Sequence, residues 1–377
     1  MSIPFIDLKT QYRQVEDQIK ANIEGVLEHG AYVMGPEIRE LEAKLAEYAG
    51  VPHTVSCSSG TDALLMALMA LGVGPGDAVF TTPFTFIATA EVVALLGATP
   101  VFVDIDPVTF NLDPDDLRRK IRHVRENRKD LTARGVITVD LFGQPADYDV
   151  IEPMAHNSGL FLLVDAAQAF GATYKGRQLC SLGDLACTSF FPAKPLGCYG
   201  DGGMVFVNNE ELHQLLVSVR VHGMSLTDKY DNDRLGLTAR MDSMQAGVLL
   251  AKFGIFPGEI EKRQEVADRY AELLSSVDGL TPPSVPEGNV SVWAQYCVLA
   301  RDTEQRTEVM ERLAAASIPS VIYYPKPLHL QKAFANLGYV MGDFPVSEDA
   351  ASRIFALPMH PYLAAEDQET IVKVIKG

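Results

Sequence analysis

Residues 160–168 read LFLLVDAAQ. The first five residues form an uninterrupted apolar run, and Asp165 follows that run directly. A run this short, without polar alternation, is typical of a strand that is buried on both faces of a parallel sheet. In open α/β sheets, ligands gather at the carboxyl ends of such strands. Asp165 is therefore a candidate ligand-binding carboxylate, and a helix N-cap is the alternative reading of the same position.

Similar short apolar runs recur, and helical stretches separate them. The predicted strands are residues 78–81, 99–103, 135–140, 160–165 and 185–190. The predicted helices include residues 12–27, 37–49 and 260–274, where apolar residues recur at helical spacing. This alternation predicts an α/β fold with a mostly parallel, doubly wound sheet covered by helices on both faces. We expect residues 1–253 to form a large domain and residues 254–377 a smaller α+β domain.

Composition excludes several classes of protein. The net charge of −17 argues against nucleic-acid binding, which depends on a positive field. Apolar runs are too short to span a bilayer, and residues 1–10 lack the basic and apolar regions of a secretory signal. We therefore expect a cytoplasmic enzyme without a membrane partner. The five scattered cysteines suggest neither a disulfide framework nor a zinc site, and we expect buried free thiols.

A second candidate cluster is the segment CSSGTD at residues 57–62, which opens a predicted helix over residues 63–71. Glycine allows a close backbone approach, hydroxyl groups donate hydrogen bonds, and a helix N-terminus carries partial positive charge. Together these features favour a phosphate-binding cup. Ordinary helix capping by serine or threonine is the alternative.

A third cluster is SFFPAKPLG at residues 189–197, which contains Lys194. A lysine after a strand is usually a surface residue. This one lies in an apolar loop, where desolvation lowers the pKa of an amine and favours Schiff-base chemistry. Ser189 is a further candidate phosphate donor.

The order of these clusters along the chain is informative. The cup is followed by an aromatic pair at Phe84 and Phe86, then by Asp165 and Lys194. With these segments the chain resembles the DegT/DnrJ/EryC/StrS sugar aminotransferases over nearly its whole length. The remaining shared segments are residues 3–8, 35–37, 104–106, 220–223 and 357–361.

The resemblance implies a pyridoxal-phosphate (PLP)-dependent transferase of fold type I, the aspartate-aminotransferase fold. Such a fold has a large domain with a mostly parallel seven-stranded sheet flanked by helices, and a smaller C-terminal α+β domain. Lys194 would form the Schiff base with PLP and shuttle protons, while Asp165 would pair with the pyridine nitrogen. The other implied cofactor contacts are Gln168 to the phenolic oxygen, Phe86 stacked on the ring, and Ser59, Gly60, Thr61, Ser189 and Thr238 around the phosphate.

The implied reaction is a ping-pong transamination. Glutamate would convert PLP to pyridoxamine phosphate and leave as 2-oxoglutarate, and a nucleotide-linked keto-sugar would then be aminated. The segment around Lys194 looks closest to enzymes that aminate a UDP-2-acetamido-3-oxo sugar, including the 3-oxoglucuronate type. A dTDP-linked 3-oxo- or 4-oxo-6-deoxysugar is the alternative substrate.

Other reactions on the same fold are less consistent with the residues. Family members that dehydrate sugars replace the lysine with histidine, whereas this chain keeps Lys194. A non-catalytic, PLP-binding regulator would need a fused partner module, and a racemase or lyase would not share the sugar-family segments.

The resemblance further implies a homodimer whose active sites are completed by the neighbouring chain. Residues 236–242, which include Thr238 and Arg240, correspond to the donated loop. Relatives commonly carry asparagine at the position of Thr238 and His-Tyr-Pro where this chain has Tyr323 and Tyr324 before a proline. The implied substrate-side residues are Arg240, Tyr323, Tyr324 and His329.

One stretch lies outside these patterns. Lys and Arg dominate residues 118–134. We expect a solvated helical face there, and an anionic partner or a subunit contact is the alternative.

Overall fold

A computed structural model describes residues 3–225, 227–228 and 230–377. Its helices are α1 (Leu8–His29), α2 (Pro36–Ala49), α3 (Gly60–Ala70), α4 (Ala88–Leu95), α5 (Pro114–Asn127), α6 (Tyr148–Asn157), α7 (Glu210–Val219), α8 (Ser243–Phe253), α9 (Phe256–Leu274), α10 (Thr303–Ala315), α11 (Pro345–Arg353) and α12 (Ala365–Lys376). Its strands are β1 (His53–Cys57), β2 (Asp77–Thr81), β3 (Thr99–Phe102), β4 (Thr132–Val139), β5 (Phe161–Asp165), β6 (Thr173–Tyr174), β7 (Arg177–Gln178), β8 (Leu185–Ser189), β9 (Gly203–Val207), β10 (Leu280–Thr281), β11 (Asn289–Val290), β12 (Tyr296–Ala300) and β13 (Ile354–Leu357).

Seven of these strands form one sheet in the order β1-β9-β8-β5-β4-β2-β3. All neighbouring pairs from β8 to β3 are parallel, whereas β9 runs antiparallel to both β8 and β1. The fold class and the seven-stranded, mostly parallel sheet are therefore confirmed. Because β9 alone is reversed, the carboxyl ends of β1, β2, β4, β5 and β8 share one edge of the sheet.

Both faces of the sheet are buried. Adjacent residues along each strand alternate between two apolar cores: Phe80, Val136 and Leu162 point into one, and Val79, Ile137 and Leu163 into the other. Side chains alternate across a strand, so a strand covered on both faces has no face that must be polar. This explains why the sequence shows continuous apolar runs there.

Local signals fix the ends of the first helices. The Asp7 Oδ1 atom accepts a hydrogen bond from the Thr10 N–H at 2.9 Å and so caps α1. Helix α2 begins at Pro36 and ends before Gly50, which has a φ of 72°. The predicted C-cap at Gly50 is confirmed.

The C-terminal region has its own small sheet and core. Strands β10, β12 and β13 form an antiparallel sheet, and α9, α10 and α12 cover an apolar cluster around Tyr270, Tyr296 and Phe355. Helix α9 joins the two parts of the molecule, since Phe256 in its first turn packs in the core of the large sheet and Leu274 in its last turn packs in the small core. The division at residue 253 stays a prediction.

The remaining expectations from composition concern surface and core. All five cysteines are free and buried, as expected. Helix α5 and its flanks carry the basic stretch, and several of its arginines pair with nearby aspartates, such as Arg118 with Asp115 and Arg128 with Asp130. Among the described helices, no segment combines the length and apolar character that a membrane crossing would need.

Candidate active site

Asp165 lies at the end of β5, in the middle of the sheet edge where the parallel strands finish. It pairs with Val139 of β4 on one side and Cys187 of β8 on the other. The side chain is buried, and its two oxygen atoms accept hydrogen bonds from the Thr89 hydroxyl at 2.8 Å and the Ala167 N–H at 3.1 Å. Burial raises the pKa of this carboxyl group, and these two donors oppose the rise.

Lys194 lies near enough to Asp165 for their charges to interact. Burial of its ammonium group lowers the pKa of Lys194 to about 8, and the negative charge of Asp165 opposes that change. With this pKa a minority of the Lys194 side chains is neutral near physiological pH, far more than for an ordinary lysine, and the neutral amine is the nucleophilic form. The loop that carries Lys194 is fixed at Cys198, whose N–H donates to the Phe190 carbonyl at 2.8 Å.

Gln168 lies one turn after Asp165 and is held at both ends of its side-chain amide. The Phe142 N–H donates to Gln168 Oε1 at 2.8 Å, and Gln168 Nε2 donates to the Tyr324 phenol oxygen at 2.9 Å. Phe142 has a φ of 61°, a rare conformation for a residue with a side chain. The amide is therefore oriented by contacts from two different parts of the chain.

The predicted phosphate cup lies at the ends of β1 and β8. Gly60 begins α3, and a Cβ atom added to it would lie 2.6 Å from the Ser189 Cβ. Ser59 is the N-cap of α3, since its Oγ accepts from the Asp62 N–H at 3.0 Å. The Ser59 hydroxyl is thus used for capping, as the alternative interpretation held. Gly60, Thr61 and Ser189 are each partly exposed, and their role as phosphate ligands stays a prediction.

Phe86 stands out from its neighbours. Its side chain is 56% exposed, whereas Phe84 and Thr85 on one side and Thr89 on the other are buried. It lies just before α4, the helix that supplies Thr89 to Asp165. An exposed aromatic ring at the edge of an enclosed polar site is a surface on which a planar ligand can stack.

These residues fit PLP on three structural grounds. Buried Asp165 has two neutral donors, and a pyridinium N–H would supply the cation that a buried carboxylate requires. The cup has room only because residue 60 has no side chain. Lys194 is close enough to Asp165 for their charges to interact. The individual roles of these residues stay predictions.

The remaining candidates lie around this centre. Thr238 and Arg240 are exposed on either side of Ala239, whose carbonyl oxygen accepts from the Ser58 N–H at 3.2 Å. Thr238 also hydrogen-bonds to the His222 ring. Their predicted reach into a partner's site stays a prediction.

Tyr323 and His329 differ in their surroundings. Tyr323 is partly buried, with its ring 6.5 Å from the ring of Phe5. His329 is buried against Phe344, and its Nε2 lies 2.9 Å from Glu348 Oε1. His329 thus has a structural partner of its own, and substrate contact by either residue stays a prediction.

Sequence reasoning missed several polar residues behind the site. Asp140 follows β4, is fully buried, and accepts hydrogen bonds from the Tyr148 hydroxyl and the Ala146 N–H at 2.8 Å. Burial raises its pKa to about 8, and the nearby Asp165 adds to the rise. The strand-end rule that selected Asp165 would also have selected Asp140. No pattern marked Thr89, which reaches Asp165 from a helix.

A second buried lysine was also missed. Lys252 of α8 donates to the Gly197 carbonyl at 2.6 Å, and its Nζ lies 4.3 Å from the centre of the Tyr199 ring. Burial lowers its pKa to about 8. Through this hydrogen bond to Gly197, Lys252 supports the loop that contains Lys194.

Comparison with curated proteins gives relatives along almost the entire chain. A UDP-2-acetamido-2-deoxy-3-oxo-D-glucuronate aminotransferase from Pseudomonas aeruginosa is 47% identical over 361 residues, 96% of each chain. A pleiotropic regulatory protein from Geobacillus stearothermophilus is 41% identical and covers 100% of this chain and 98% of its own. A UDP-N-acetyl-3-dehydro-alpha-D-glucosamine 3-aminotransferase from Acidithiobacillus ferrooxidans is 40% identical and covers 100% and 97%.

Solved structures of aminotransferases also superpose on this chain over its whole length. A DegT DnrJ EryC1 StrS aminotransferase from Brucella abortus superposes with a TM-score of 0.95 at 47% identity, covering 100% of this chain and 99% of its own. NtdA from Bacillus subtilis, with bound cofactor PMP, superposes with a TM-score of 0.89 at 28% identity and covers 100% and 86%. The model of the DegT/DnrJ/EryC1/StrS aminotransferase family matches residues 13–376. The chain belongs to this family and is a PLP-dependent aminotransferase.

Proposed function

We propose that this enzyme transfers the amino group of glutamate to C3 of a UDP-linked 2-acetamido-2-deoxy-3-oxo sugar, either a hexose or a hexuronate. The observation that carries the chemistry is that Lys194 lies close enough to Asp165, at the buried end of β5, for their charges to interact. The likeness to the Pseudomonas aeruginosa relative supports the choice of a 3-oxo UDP-sugar and favours the hexuronate.

Asp165 and Lys194 would do the central work on either side of the cofactor. PLP, when bound, supplies an electron sink for the carbon that loses or gains a proton. The Asp165 carboxylate would hold a proton on the pyridine nitrogen, which keeps that sink effective. The Lys194 amine would hold the cofactor between turnovers and, once released, would move a proton between substrate and cofactor carbons. Its pKa of about 8 suits both tasks.

The surrounding residues would position the cofactor. Gln168 would direct its amide towards the phenolic oxygen, since Phe142 and Tyr324 fix the orientation of that side chain. The backbone at Gly60 and Thr61 and the Ser189 hydroxyl would hold the phosphate group. Phe86 would cover one face of the ring and exclude water from it.

On the substrate side, Arg240 would pair with the sugar carboxylate or the diphosphate, because a guanidinium group can bind either anion through two hydrogen bonds. Tyr323 would contact the sugar ring. Thr238 would donate a hydrogen bond to the phosphate in the partner subunit's site, with a shorter reach than asparagine at that position.

The test of substrate is spectroscopic. We expect the visible absorption band of the purified enzyme to decrease with glutamate and to return with one member of a panel of UDP- and dTDP-linked 3-oxo and 4-oxo sugars. Return of the band with a UDP-linked 3-oxo sugar supports the proposal. Return with the hexuronate and not with the hexose identifies the hexuronate as the substrate. Recovery only with a dTDP-linked sugar would replace the proposed substrate with the alternative.

A mixing experiment tests the shared site. Lys194→Ala and Arg240→Ala homodimers should each be inactive if Arg240 acts across the interface. Heterodimers formed by mixing them equally would carry one intact site in each dimer, so we expect about a quarter of wild-type activity to return. Absence of recovery, with subunit exchange confirmed, would place Arg240 in its own subunit's site.

The product would be an amino sugar for a surface polysaccharide, such as the O-antigen of lipopolysaccharide. Nucleotide sugars are made in the cytoplasm, and we propose that this enzyme works there as a homodimer.

A further inference from the structure

A cluster of metal-ligating side chains lies outside the active site. It consists of His53, Glu210 and His213, whose nearest ligand atoms all lie within 4.8 Å of one another. His53 begins β1, the edge strand of the large sheet, and Glu210 and His213 lie three residues apart in the first turns of α7. The active-site cup follows the opposite end of β1, so the cluster is separated from it by the length of the strand.

The three side chains bring three possible metal-ligand atoms together at the protein surface. His53 Nε2 lies 3.0 Å from one carboxylate oxygen of Glu210, and His213 Nδ1 lies 3.9 Å from the other. The two imidazole rings are stacked, with centroids 4.5 Å apart and planes only 8° from parallel. Both histidines are about a quarter exposed, and Glu210 is more open, so an ion can enter from solvent.

One ring nitrogen of His213 is unpaired within this cluster among the described residues. The Nδ1 atom of His213 is buried and lies on the side of the ring that faces Glu210, and it has no hydrogen-bond partner among the described residues. An imidazole nitrogen that faces a carboxylate and a second imidazole without a hydrogen-bond partner of its own is available to coordinate a metal ion.

We propose that His53, Glu210 and His213 form a binding site for a divalent transition-metal ion of the zinc class. Two imidazoles and one carboxylate suit Zn²⁺ and its neighbours, and they do not suit Mg²⁺ or Ca²⁺, which prefer oxygen ligands throughout. Water would complete the coordination sphere. Because an ion must lie in the plane of each ring that binds it, one imidazole has to rotate out of the parallel stack.

Such an ion would stabilise the edge strand β1 of the large sheet. Within the described part of the chain, β9 is the one strand that pairs with β1, and α7 follows β9 directly along the sequence. A metal bridging His53 to Glu210 and His213 would tie β1 to α7 without involving Lys194 or the cup. The expected role is therefore stabilisation of the strand that leads into the cup, with no part in the transfer of the amino group.

The test is calorimetric titration of ZnCl₂ into chelator-treated holoenzyme. We expect one equivalent of Zn²⁺ to bind to the wild type. Removing a group that only supports a metal ligand commonly costs about 10- to 100-fold in affinity, so His213→Ala and Glu210→Gln should each weaken binding by at least roughly tenfold. Zinc should also raise the melting temperature of the wild type and leave that of Glu210→Gln nearly unchanged.

His156→Ala is the matched control. His156 lies 3.4 Å from Asp184 on the surface, a histidine–carboxylate pair outside the cluster, and its loss should not alter zinc affinity. Each variant should keep the PLP absorption band and the wild-type turnover, which shows that it is folded. Equal zinc affinity in the wild type and His213→Ala, or no zinc binding by the wild type, would overturn the proposal.

Discussion

The side-chain amide of Gln168 donates a 2.9 Å hydrogen bond to the phenol oxygen of Tyr324, which links the edge of the large sheet to the C-terminal part of the chain. The same amide accepts from Phe142 at 2.8 Å, so Gln168 is held from both sides. Tyr324 is itself enclosed, and its ring lies 6.2 Å from that of Phe84. A residue expected to act on substrate thus also orients a residue expected to contact the cofactor.

Tyr324→Phe should therefore slow the reaction without removing the cofactor. The change leaves a buried N–H of Gln168 without an acceptor, which costs about 1–3 kcal/mol. If that cost falls on the transition state, kcat/KM should decrease by about tenfold. Steady-state kinetics with glutamate measures this. Tyr339→Phe is the control, because its hydroxyl contacts the Phe102 N–H outside the site. Equal effects of the two changes would contradict the role of Tyr324.

The pKa of Lys194 predicts how PLP capture depends on pH. The pKa is lowered from 10.5 to about 8, so the ammonium form dominates below pH 8 and the reactive amine above it. The rate at which apoenzyme regains its visible band should therefore rise between pH 7 and 9. Asp165 raises the pKa of Lys194, so Asp165→Asn should move the midpoint to lower pH. A wild-type midpoint near 10.5 would contradict the burial of this amine.

Lys252 provides a contrast within the same experiment. Its pKa is also lowered to about 8, but its ammonium donates to the Gly197 carbonyl beneath the loop. Borohydride reduction of the holoenzyme, followed by peptide mapping, should find the cofactor on Lys194 and not on Lys252. Lys252→Met should retain the modified Lys194 while weakening PLP binding, because the loop loses its support.

Gly60→Ala should close the phosphate cup. The new Cβ would lie 2.6 Å from the Ser189 Cβ, and overpacking of this kind costs about 1–3 kcal/mol. We expect the Kd for PLP to rise by about tenfold, as measured by fluorescence titration of apoenzyme. Gly74→Ala is the matched control, since a Cβ there would have no atom of the described residues within 4 Å. A normal Kd in Gly60→Ala would show that phosphate binds elsewhere.

Glu42→Ala should destabilise the base of the cup. Glu42 Oε1 accepts from Arg220 at 2.7 Å and from the Ser56 N–H at 2.8 Å, and both partners are buried. Removing one partner of a buried ion pair costs about 3–5 kcal/mol, so the melting temperature of the apoenzyme should fall markedly. Glu40→Ala, on the same helix, breaks only an exposed pair with Lys44, which contributes about 0.5 kcal/mol or less. Similar losses from both changes would contradict the burial argument.

Much of the fold could be predicted because its signals are local. Strand β5 shows its burial as an apolar run, and Asp165 shows its position by ending that run. The end of α2 followed from Gly50. Boundaries were less accurate at helix starts. Helix α3 begins at Gly60 within the cup itself, three residues before the predicted start, because the capping hydroxyl is that of Ser59.

The site was less accessible to sequence reasoning, because its contacts join distant parts of the chain. Thr89 reaches Asp165 across 76 positions, and Tyr324 reaches Gln168 across 156. No periodicity or spacing encodes such pairs. Lys252 was missed for a related reason: a lysine on a predicted helix is normally solvated, and its burial depends on the loop above it.

The continuity of α9 restricts how the two ends of the molecule can move. Phe256 stacks on Phe170 with ring centroids 5.5 Å apart, and the same helix extends without interruption to Leu274 in the other core. A helix that is packed into a core at each end keeps the distance between the two cores nearly constant. Any closure of the molecule over a bound sugar must therefore bend helix α9 or take place in the loops around it. Selection among sugars would then depend on these loops more than on a large swing of the C-terminal part.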